Sequence, residues 1–78
     1  MSKPVTASTP LGTLIRNVPT GFVGRLTVSP SEQYGTLGWR VGQEATDRFG
    51  GTEFFEIVRC GRHALGTCIG TGNECVTA

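Results

Sequence analysis

"GFVGRLTVSPSEQYGTLGWRV", residues 21–41, decides the fold. Its first run alternates, with Phe22, Gly24, Leu26 and Val28 on one side and Val23, Arg25 and Thr27 on the other, the period-2 signature of a half-buried strand. Its second run repeats the pattern, with Leu37, Trp39 and Val41 facing one way and Tyr34, Thr36 and Arg40 the other. Between them Pro30 fixes its φ and the neighbouring serines favour a turn, so "SPSEQ" joins two antiparallel strands. Leu37, Trp39 and Val41 are therefore expected in the core.

Working outward, "LGTLIRNV" (11–18) reads as a preceding strand stopped by Pro19, which cannot donate to a ladder. "EFFEIVRC" (53–60) is the most apolar segment, with Phe54, Val58 and Cys60 on one side and Phe55 and Ile57 on the other, and is expected in the middle of the sheet. A fifth strand is placed at "LGTCIG" (65–70). Gln43 to Arg48 are expected to form a short helical turn before the Gly50-Gly51 stop. Residues 1–10, "MSKPVTASTP", carry two prolines and no hydrophobic period, and read as a flexible arm ahead of a single β domain over 11–78. The expected fold is small and all-β: five short antiparallel strands in a curved sheet or a partly closed barrel of the SH3-like or OB-like kind.

With 78 residues the chain has room for one core, and a domain of this size buries only roughly 60 % of its unfolded surface. A metal, a disulfide or a partner subunit is the usual supplement to so small a core. Hydrophobic residues make up 37 % and charged residues 17 %, which places the chain among folded domains rather than disordered ones. The net charge of +1 supplies no whole-molecule field for nucleic acid or anionic membranes. No basic-led apolar leader and no apolar run of about 18 residues is present, so neither a signal peptide nor a membrane span is expected. A cytoplasmic location with reduced cysteines follows as the expectation.

The chemistry-bearing residues concentrate in "CGRHALGTCIGTGNEC", residues 60–75, which holds all three cysteines and the single histidine. Cys60, His63, Cys68 and Cys75 form a Cys3His set of the softness zinc selects. A regular hairpin turning at Arg62-His63 separates them: it pairs Gly61 with Ala64, Cys60 with Leu65 and Ile57 with Cys68, and sends Cys60 and Cys68 to opposite faces. On that register neither a metal nor any other cofactor is expected, the cysteines act as small buried hydrophobes, and Cys75 is the most exposed thiol. Only an irregular knuckle would bring the four ligands together.

No acid/base or nucleophile set emerges. Glu53 and Glu56 have odd spacing, so on a strand they point to opposite faces, Asp47 sits beside Arg48 where a local ion pair suffices, and Cys60 with His63 lacks an obvious orienting acid or amide. The chain is therefore not expected to be an enzyme. The basic residues are one lysine, Lys3, and six arginines, and arginine with aromatics is the composition of binding hot spots. The first expectation is a non-enzymatic protein that docks onto a larger protein or complex, or onto a second copy of itself, with Arg25, Tyr34, Arg40, Arg59 and Arg62 as contacts. By size alone such chains resemble accessory subunits and inhibitors carried by phages and other mobile elements. Two alternatives stand beside it: a small barrel binding nucleic acid through a strip of Arg25, Arg40 and Tyr34, and a structural zinc module.

Overall fold

Leu26 and Trp39 face each other across two antiparallel strands, and the sheet grows from that pair. The computed structural model describes residues 3–31, 33–64, 67–72 and 75–77. Among these residues eight short strands follow in chain order: β1 (Lys3–Pro4), β2 (Leu14–Asn17), β3 (Val23–Val28), β4 (Thr36–Arg40), β5 (Arg48–Gly51), β6 (Phe55–Ile57), β7 (Cys68–Ile69) and β8 (Val76–Thr77). The first six form one antiparallel sheet in the order β1-β6-β2-β3-β4-β5, while β7 and β8 form a separate two-stranded pair. The two-residue β1 and the four-residue β5 are the sheet's edges, so the sheet is curved and open rather than a closed barrel.

The alternation of β3 and β4 places the core. Ile15, Leu26, Leu37, Trp39, Phe55 and Ile57 share the inner face and are buried, Val5 joins them, and Val41 packs against the cluster. Trp39 and Phe55 meet edge to face, ring centroids 5.0 Å apart at 75°, the arrangement that aromatic quadrupoles favour. The stretch expected to be an arm thus contributes an edge strand and a core residue, with Thr9 also buried; Met1 and Ser2 lie outside the described residues.

Four further details differ from the expectation drawn from sequence. The register of β3 against β4 shifts between Leu26 and Val28; a bulge at Thr27 turns Val28 away from the face of Leu26, leaving it 42 % exposed. "RFGG" (48–51) is a strand rather than the end of a helical turn, because Gly38 and Gly50 leave space for rings instead of side chains. A Cβ at Gly38 would lie 2.8 Å from Val28 and 3.0 Å from the Phe49 ring, and one at Gly50 would lie 3.0 Å from the Phe55 ring. The one helical turn among the described residues is a 3₁₀ turn at Thr52–Phe54; residues 43–48 instead make a turn at Gly42-Gln43 and a bend before β5.

The fourth difference governs the site. β6 does not fold back on the cysteine segment: Ile57 pairs with Ile15 of β2 and with Lys3 of β1, and Arg16 of β2 forms an ion pair with Glu56 of β6. Among the described residues the hairpin at Arg62-His63 is absent, and β7 pairs with β8, Cys68 opposite Thr77 and Ile69 opposite Val76. Leu65 and Gly66, the start of the strand expected over 65–70, lie outside the described residues.

Candidate metal centre

Because β6 is held by strands on both sides, the chain after it is released to cross the outer face of the sheet. Val58 still donates to Leu14, 3.1 Å; beyond Arg59 the chain turns at Gly61, whose φ of +96° is a conformation glycine adopts without a Cβ penalty. That turn folds Cys60 and His63 together, Sγ to Nδ1 3.3 Å, with the backbone N–H of Arg62 pointing at the same sulfur, 3.4 Å. Thr67, next to Cys68, donates through both backbone and hydroxyl to the Ala64 carbonyl. The β7–β8 pairing returns the chain so that the Cys75 sulfur stands 3.4 Å from that of Cys68.

The result is the irregular knuckle that a regular hairpin forbids. One donor atom each from Cys60, His63, Cys68 and Cys75 lies within 4.8 Å of every other. A tetrahedral zinc with bonds of about 2.3 Å to sulfur and 2.0–2.1 Å to nitrogen requires donor separations of roughly 3.8 Å and 3.6 Å. The 3.4 Å between Cys68 and Cys75 and the 3.3 Å between Cys60 and His63 would open by a few tenths of an ångström to reach those edges, and the widest donor separation, at most 4.8 Å, would close by up to about 1 Å. Cys68 is buried, the other three donors are half-buried, and all three cysteines are unbridged.

Beneath the knuckle lies a group that sequence reading placed at the surface. Arg25 leaves β3 on the face opposite Leu26 and is 4 % exposed, covered by the cysteine segment. Its guanidinium donates to Cys68 Sγ (3.2 Å), Cys75 Sγ (3.6 Å), the Gly12 carbonyl (3.3 Å) and the Gly72 carbonyl (3.2 Å). Gly70 adds a backbone bond to the Gly12 carbonyl, 3.0 Å. Period-2 alternation showed that Arg25 leaves the core face; what covers that second face is a tertiary fact with no local signal.

The local fields differ from one sulfur to the next. The Arg62 backbone N–H, with His63 and Cys68 nearby, holds the Cys60 thiol down to about 6, while burial pushes the Cys68 thiol up despite the opposing pull of Arg25. Burial works against the charge of Arg25, yet its hydrogen bonds to Cys68 and Cys75 leave its pKa above the ordinary value.

The other expected contact residues lie at several places on the sheet and beside the knuckle. Tyr34 is 75 % exposed in the turn before β4, whereas Arg40 ends that strand and pairs with Asp47, Nε to Oδ1 2.5 Å. Arg25 and Arg40 are cross-strand partners, but Arg25 is covered by the cysteine segment and Arg40 is engaged by Asp47. Arg59 and Arg62 are exposed beside the knuckle. Arg48 pairs with Glu44 and lies over the Phe22 ring, 5.3 Å from its centroid, so Asp47 finds its partner across the strand rather than in its neighbour. Among the described residues no helix is long and apolar enough to cross a membrane. Compared with protein-family models, curated proteins and solved structures, the chain matches none.

Proposed function

We propose that the chain is a small metal-stabilised β module in which Cys60, His63, Cys68 and Cys75 hold one zinc ion. The observation that carries the reading is the convergence of four soft donor atoms within 4.8 Å. They come from a segment whose regular structure, among the described residues, is one two-residue strand pair. Such a segment has little apolar surface with which to order itself, and a metal is the usual substitute in small domains. Four protein ligands leave no open position for water or substrate, which is the pattern of structural rather than catalytic zinc. The ion's role is to fix the lobe over residues 60–77 against the outer face of the sheet.

Native mass spectrometry of protein purified without chelator tests the reading. One zinc per chain is expected, lost on chelation and absent from a Cys68→Ser, Cys75→Ser double variant. A zinc-free mass after dialysis against zinc, with no cobalt(II)–thiolate absorption on cobalt addition, would overturn it.

A second, compatible reading concerns what the module does. Tyr34, Phe49, Leu11 and Val18 are all more than half exposed, an outward aromatic and aliphatic population that suits a non-enzymatic docking protein. Tyr34→Ser and Val18→Ser are expected to abolish docking to a captured partner complex while leaving melting unchanged. Retained capture by both would refute it.

A further inference from the structure

We propose that Arg25 is the built-in counter-charge of the thiolate site, a positioning residue that sets how tightly the metal is held. The inference rests on the zinc reading of the Cys3His cluster. Three thiolates and a neutral imidazole around a divalent ion leave a net charge of −1 in a half-buried place, and desolvating that charge is costly unless an opposite one is at hand. Arg25 supplies it from 43 and 50 residues away in sequence, with Nη1 3.2 Å from Cys68 Sγ and Nη2 3.6 Å from Cys75 Sγ. The two ends of one planar fork thus serve two sulfurs, a geometry that a lysine ammonium cannot reproduce.

The remaining donors fix the fork. Nε is tied to the Gly72 carbonyl and Nη1 also to the Gly12 carbonyl, so the guanidinium is oriented before any metal arrives. Arg25 itself is anchored in β3 between Gly24 and Leu26, in register with Arg40 of β4. Charge-assisted N–H bonds to ligand sulfur draw electron density from it and stabilise the thiolate. Partners of this outer kind are worth about 10–100-fold in metal affinity.

Cobalt(II) and zinc titrations of the full chain, with Arg25→Met, Arg25→Lys and Arg59→Met variants, test the inference. Zinc affinity is read by competition with a chromophoric chelator, and the sulfur-to-cobalt charge-transfer band reports the electron density on the thiolates. Arg25→Met is expected to weaken zinc binding by about 10–100-fold and to move the band to lower energy. Arg25→Lys should fall between it and the parent, and Arg59→Met should match the parent. Trp39 emission checks that the main sheet is intact; if Arg25→Met does not fold, Arg25→Lys alone decides, by a several-fold loss with a band shift. Parent affinity and an unmoved band in the folded Arg25 variants overturn the proposal while leaving the zinc site standing. A parent chain that binds neither metal overturns the zinc reading itself, and Arg25 with it.

Discussion

Replacing Gly24 by alanine adds a single methyl group at the tightest point of the β3–β4 seam. A Cβ there would fall within contact of the Arg40 carbonyl oxygen, 2.8 Å from its carbonyl carbon and 2.8 Å from Trp39 Cε3. Two of those three atoms are backbone and cannot swing aside, and the third belongs to a ring held at 4 % exposure against Phe55. Relief therefore requires β4 to withdraw, at the expense of the Arg25–Arg40 and Leu26–Trp39 pairings. Overpacking of this severity costs about 3 kcal/mol, which in a domain of this size lowers Tm by roughly 12–24 °C. Gly21→Ala is the matched control: its Cβ meets nothing within 4 Å, and only the φ of +79° opposes it, a cost of about 1–2 kcal/mol. Differential scanning calorimetry at fixed zinc, with Trp39 emission as a second probe, reads both. A Gly24→Ala protein that melts with the parent, or above Gly21→Ala, would show that the seam is not packed as described.

Two further outcomes follow from the metal centre. Chelation of zinc-loaded protein should lower Tm by about 15 °C or more, since a ligand at a thousandfold over its Kd contributes about 4 kcal/mol; calorimetry with and without chelator checks this, and coincident melts would contradict it. In the chelated protein Cys60, held to about 6 by the Arg62 N–H, is thiolate at pH 7, whereas burial keeps Cys68 protonated. Iodoacetamide with peptide mapping should therefore label Cys60 well before Cys68, with the Cys60 rate falling as pH drops through about 6; preferential labelling of Cys68 would refute the assignment.

Legibility from sequence divided along physical lines. Where one face is buried and the other wet, period-2 alternation carries the answer, and Leu26, Leu37, Trp39, Phe55 and Ile57 are all buried as their spacing implies. β5 escaped because its signal is shared between strands: "RFGG" has two glycines, its own Phe49 ring covers Gly38 of β4, and Gly50 is covered by the Phe55 ring of β6. The bulge at Thr27 left no mark that alternation detects. At the site, all four donor residues were visible as a set, but the hairpin register assumed that neighbouring segments pair. The competition was won by β2, some forty positions upstream, which takes Ile57 through Ile15. Once β6 is claimed on both edges, the knuckle is what remains for residues 60–77. Arg25 was legible as an outward-facing arginine and illegible as a thiolate partner, because that role depends on which segment covers it.

The joint between lobe and sheet also has a mechanical character. It is carried by the Gly70–Gly12 backbone bond and the fan of bonds from Arg25. A Cβ at Gly12 would stand 3.0 Å from the Gly70 oxygen, so the two chains meet there with no room for an intervening side chain. Short directional bonds of this kind are stiff over a fraction of an ångström and then fail together, unlike apolar surfaces, which slide and repack. Under a pull on residue 77 the lobe should behave as a brittle latch on a compliant sheet, letting go in one step at a force set by Arg25 and the thiolate cluster while the Trp39 core behind it stays whole.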